Sequence, residues 1–315
     1  MKLATLPVLV GLAVASTGLQ ASDLSSRFTD ANGDLTADAP TNAKDWIDPN
    51  TLVFAYTPVE DPAVYAQVWD GFLKHMENVT GKRVQFFPVQ SNAAQLEAMR
   101  AGRLHVAGFN TGSNPVAVNC AGYVPFTMMA REDGSFGYEM EIITRPDSGI
   151  TQIADIKGRS LAFTSPTSNS GFKAPSALLS AEFNMNADTD FKPSFSGGHD
   201  NSILGVVNND YDAAAIANSV LKRMISRDVV SPEDYTTIYK SQTFPTTSYG
   251  HVYNLKPELA EKVKLAFSTF EWSGSALEAE FKNSGEAQFI PITYKEHWDV
   301  VRKIDNALGT SYNCN

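Results

Sequence analysis

The stretch AFTSPTSNSGFKAP, residues 162–175, gathers hydroxyls and an amide between an apolar run and a proline. Ser168, Asn169 and Ser170 can donate hydrogen bonds without carrying charge. Gly171 lets another group approach the backbone closely. If a strand gives way to a helix here, the helix start adds unpaired N–H groups and a field that favours negative charge. Together these features suit a small tetrahedral oxyanion. On these residues alone the simpler alternative, a helix cap with no ligand, stays open. Two further loops are built alike: AYTPVEDP presents Tyr56 and Thr57, and GFNTGSNP presents Phe109, Asn110 and Thr111 just before a helix.

Other chemistries find less support. The histidines at 75, 105, 199, 251 and 297 show no HxH or HExxH spacing, and two distant cysteines cannot build a zinc site. There is no GxSxG elbow and no Walker loop. Ser170 and His199 could meet in space, which keeps a serine-dependent ester hydrolase as a rival, but no carboxylate is identifiable as an orienter. In TDANGDLTADAP, residues Asp30, Asn32, Asp34 and Asp38 space oxygen donors around Gly33 as a hard cation such as calcium would need. The distal Glu of an EF-hand is missing, and a solvated acidic linker is the alternative.

The elements that position these residues follow an exported leader. Residues 1–21 place one Lys before a short apolar run and small residues, the pattern of a signal peptide cleaved after Ala21, or after Ala15. Export implies a periplasmic protein, where Cys120 and Cys314 can form a disulfide; the alternative is two separate thiols. A formal net charge of -10 excludes the electrostatic footprint of a nucleic-acid or anionic-membrane binder. After an acidic lead-in at 22–50, apolar β-branched runs alternate with 3.6-period segments in a β-α-β-α-β order, which argues for parallel sheets covered by helices. The helix after residue 60 takes Asp61 as its N-cap, Pro62 in its first turn and Gly81 as its end. The pattern restarts near 141, and two more helices are expected at about 257–271 and 295–308. The expected division is one lobe from 51–140 with 250–315 and another from 141–249, with crossings near 136–144 and 245–254.

TSNSGFKAP, followed by SGGHDNSILGVVNNDYDAAAIANS, resembles the phosphate, phosphite and phosphonate solute-binding proteins of ABC transporters. The resemblance implies an α/β, bilobed type II periplasmic-binding fold, two domains joined by a two-segment hinge. It also implies a small phosphorus oxyanion (phosphite, phosphate or alkylphosphonate) held in the cleft by a monomer without cofactor or catalysis. Its partner would be an inner-membrane ABC permease; a ligand-sensing subunit of a membrane receptor is the other use of such a chain. By resemblance, Ser168, Asn169 and Ser170 match the oxyanion turn, with Asn169 where Thr is common, and His199 matches a histidine that donates to a phosphoryl oxygen. Phe109 stands where such proteins often place a Tyr, with Tyr56 as the substitute hydroxyl. Ser219 and Thr247 stand where acidic residues receive an amine, so the expected pocket lacks a carboxylate and takes a compact ligand without a cation.

Overall fold

The computed structural model describes residues 24–312 and 314, so the expected leader at 1–21 lies outside the described residues. Apolar TLVFA forms β1 (Thr51–Ala55), and Asp61 starts the helix α1 (Pro62–Thr80) by accepting the Ala63 N–H at 3.0 Å. Pro62 occupies the first turn, where its missing N–H goes unnoticed, and Gly81 ends the helix at φ 72. Then follow β2 (Arg83–Phe86), α2 (Asn92–Arg100), β3 (Val106–Phe109), α3 (Asn114–Ala121) and β4 (Tyr123–Ala130).

The chain then crosses to a second sheet. This unit contains β5 (Tyr138–Thr144), β6 (Ser160–Phe163), α4 (Ala174–Phe183), β7 (Lys192–Phe195), α5 (His199–Val207), β8 (Ala213–Ala217), α6 (Asn218–Ser226) and β9 (Thr236–Phe244). It returns to the first unit as β10 (Ser248–Val252), α7 (Pro257–Ser268), α8 (Ala276–Phe281), β11 (Gln288–Pro291), α9 (Tyr294–His297) and α10 (Asp299–Ala307).

The sheets run β11-β4-β10-β3-β1-β2 and β7-β6-β8-β5-β9. Strands β1, β2 and β3 pair in parallel, as do β6, β7 and β8. The first strand after each crossing, β5 or β10, inserts antiparallel between two strands of its new sheet. Each lobe therefore takes a strand from the crossing itself, which ties both segments of the hinge into sheet hydrogen bonding.

Each sheet has its own core. Phe54, Trp69, Phe72, Tyr249 and Phe267 pack in the first lobe, and Ile142, Leu161, Phe163, Ile203 and Ile216 in the second. Late in the chain, α10 leans across, with Val300 and Ile304 against the second core. A Cys120–Cys314 disulfide then fastens the tail to α3.

The acidic lead-in is a loop closed by its own side chains. Asp30 accepts the N–H groups of Asp34 and Leu35, Asn32 accepts that of Asp34, Asp34 that of Thr36, and Asp38 that of Ala31. These oxygens stabilise the loop's own backbone. Among the described residues no group of three or more His, Cys, Asp or Glu side chains is arranged to hold a metal ion.

Candidate ligand-binding site between the two sheets

The loops that follow β1, β3, β6, β7 and β8 converge from both lobes, as expected at the carboxyl ends of parallel strands. They enclose a cavity of about 50 Å³.

Residues 169–173 wind a single wide helical turn that runs on into α4. The Ser168 hydroxyl caps it by accepting the Gly171 N–H at 3.0 Å. Only Gly fits at 171, because a Cβ would lie 2.0 Å from Thr164 Oγ1. Across the cleft, a Cβ on Gly112 would lie 2.2 Å from the Thr167 carbonyl oxygen, so the two loops interlock backbone to backbone. Lys173 holds them from behind: its buried Nζ donates to the Gly112 carbonyl at 2.8 Å and pairs with Asp305. Burial lowers the Lys173 pKa, and Asp305 works against that shift.

Ser168, Asn169 and Ser170 all line the cavity and are buried. Asn169 donates to the Tyr138 hydroxyl at 3.4 Å, and its side-chain oxygen has no partner among the described residues. His199 opens α5 and also faces the cavity. The Ala217 N–H donates to His199 Nδ1 at 3.1 Å, which makes Nδ1 an acceptor and leaves the proton on Nε2. Burial pulls the His199 pKa down to about 4, so the ring is neutral at ordinary pH. A neutral imidazole with a fixed Nε2–H is a hydrogen-bond donor to an anion.

Tyr56, Asn110, Thr111, Ser219 and Thr247 also line the cavity. Thr57 and Phe109 do not. Thr57 lies one layer out, accepting from Asn110 Nδ2 at 3.2 Å. Phe109 ends β3 with its ring in the first core, 4.8 Å from that of Tyr123, so it cannot replace a ligand-facing Tyr.

Two charged residues in the lining were not singled out in the sequence, Arg223 and Glu286. Arg223, on α6, is buried and donates to Glu60 at 3.1 Å from Nη2. Arg227 also pairs with Glu60, and Glu280 receives both guanidiniums. Burial alone would raise the Glu60 pKa, but the two arginines outweigh it and hold the carboxyl below its usual range. Glu286 accepts from Ser284, whose hydroxyl in turn receives Arg223 Nη1 at 3.4 Å. The expectation of a pocket without a carboxylate is therefore corrected: Glu286 supplies one from just before β11. Nothing in the sequence marked it, since it follows a short turn far from the strand-to-helix loops.

Residues 54–298 match the family described as ABC transporter, phosphonate, periplasmic substrate-binding protein. The phosphate-import protein PhnD of Mycolicibacterium smegmatis is 30% identical over 267 residues, covering 82% of this chain and 82% of that protein. The phosphonates-binding periplasmic protein of Escherichia coli is 28% identical over 235 residues, 71% of this chain and 69% of that one. Among solved structures, PhnD1 from Prochlorococcus marinus in complex with methylphosphonate superposes with a TM-score of 0.74 at 16% identity, covering 84% of this chain and 100% of that one.

Proposed function

This chain belongs to the phosphonate-binding family of ABC transporter periplasmic substrate-binding proteins, and from that premise we propose that its cavity clamps one small phosphorus oxyanion: phosphite, phosphate or an alkylphosphonate. The reading rests chiefly on the neutral donor set, His199 Nε2–H and the Ser168–Ser170 turn, which line one cavity between the lobes. Each buried donor costs about 1–3 kcal/mol if left unmatched, so the set discriminates by where it donates. Closure of the lobes sequesters the ligand, and an inner-membrane permease reads the closed form.

The same histidine speaks against a serine hydrolase. A triad base must accept the serine proton at Nε2 while Nδ1–H donates to a carboxylate. Here Nδ1 already accepts the Ala217 N–H, so the tautomer is the wrong one.

Calorimetric titration of ligand-stripped protein with phosphite, phosphate and methylphosphonate tests the assignment, and at least one should bind tightly. Ser170→Ala should weaken that ligand about tenfold through one lost charge-assisted hydrogen bond, with little change in the ligand-free melting temperature. No heat with any of the three would remove the proposal.

A further inference from the structure

We propose that Glu286 is a specificity-determining residue, requiring the ligand to carry a hydrogen-bond donor where it meets this carboxylate. This rests on the phosphorus-oxyanion reading and refines it. The wall around Glu286 contains three carboxylates (Glu60, Glu280 and Glu286) against two guanidiniums (Arg223 and Arg227). Glu60 and Glu280 are the two that pair with the arginines. Glu286 has no direct ion pair with either guanidinium; it reaches Arg223 only through the Ser284 hydroxyl, and of the three carboxylates it is the one that lines the cavity, together with Arg223.

An ionised carboxylate is acceptor-only. Set against a bare anion it repels, and in a buried site that repulsion is poorly screened. Set against a P–OH or an ammonium it accepts a charge-assisted hydrogen bond. A protonated phosphonate or phosphate therefore fits where a sulfonate or sulfate of the same shape does not. The aromatic residues Tyr56, Tyr249 and Phe281 line the same cavity as Glu286 and would also tolerate an ammonium. The small cavity favours a compact ligand whose donor is a P–OH.

Methylphosphonate and methanesulfonate separate this requirement from simple anion binding. In mildly acidic buffer both are monoanions of one shape, and they differ by one acidic hydrogen. Calorimetry on the full mature chain should show methylphosphonate bound at least about tenfold more tightly. Glu286→Gln keeps the side-chain shape and offers an amide donor, so it should narrow that gap by about tenfold, with methanesulfonate and sulfate gaining. Titration with 2-aminoethylphosphonate distinguishes the donor source: a larger loss in Glu286→Gln for it than for methylphosphonate assigns the contact to the ammonium, and the reverse assigns it to the P–OH. A melting temperature for the variant controls for folding, and the wild-type comparison stands without any variant. Equal binding of methylphosphonate and methanesulfonate by wild type, or an unchanged ratio in Glu286→Gln, overturns the proposal. Silence from every phosphorus compound would instead overturn the oxyanion assignment beneath it.

Discussion

At the scale of single residues, burial decides which protonation state each histidine can use. His199 and His251 are both pulled down to about 4 by burial. In the unfolded chain each returns to about 6.5. Between those values the unfolded chain holds more protons, so stability is full above about pH 6.5 and is lost as pH falls toward 4. The loss should reach roughly 3 kcal/mol per histidine. Melting temperature followed from neutral to acidic pH checks this, and His251→Leu, outside the cavity lining, should flatten part of the slope. An equally steep fall in that variant would mean that other groups carry the effect. Residue type and spacing in the sequence made the neutral donors legible, because hydroxyls before a helix and a Gly-His-acidic segment are local patterns. Arg223 and Glu286 were not legible. Each is one charged residue in an ordinary amphipathic or turn segment, and only long-range packing turns it toward the cavity.

At the scale of elements, the oxyanion turn is positioned by an ion pair and by a tail from the far end of the chain. Lys173 and Asp305 are both buried, and Tyr312 donates to Asp305 shortly before the disulfide at Cys314. Removing one partner of a buried pair leaves an uncompensated charge and typically costs about 3–5 kcal/mol, whereas replacing both with apolar groups is often neutral. Lys173→Met and Asp305→Leu should each lower the denaturation midpoint sharply, and the double variant should recover much of the loss. Simple addition of the two single effects would show that the pair is not coupled. The helices were readable because caps and periodicity are local: Asp61, Pro62 and Gly81 bound α1 as their chemistry dictates. The edge strands were not. β7 and β9 are half exposed and mix Lys, Ser, Thr and Gln with aromatics, which blurs the alternation that marks a strand. β10 read as a crossing segment, and its place between β3 and β4 depends on partners more than a hundred residues away.

At the scale of the whole molecule, the two lobes are held closed by contacts that do not involve the ligand. The His199 N–H donates to the Val59 carbonyl at 3.1 Å, and Asn92 Nδ2 to Thr167 Oγ1 at 3.1 Å. A further bridge is ionic: Glu60 and Glu280 of the first lobe face Arg223 and Arg227 of the second. In an open form these groups would regain water, so the cluster biases the balance between open and closed only through its fit in the closed form. Glu60→Gln would leave the buried Arg223 and the half-buried Arg227 with Glu280 as their only direct ion-pair partner in the closed form, while the open form would tolerate the change. The closed population should fall, and apparent affinity with it, by about tenfold or more even though Glu60 is absent from the cavity lining. The loss should appear mainly as faster ligand release, since Glu60 meets its partners only after encounter. X-ray scattering with and without ligand, together with stopped-flow kinetics, tests this. The variant should be more extended than wild type without ligand and should approach wild-type dimensions at saturating ligand. Unchanged release kinetics and an unchanged scattering profile would show that the hinge, rather than the ionic bridge, sets the closed state.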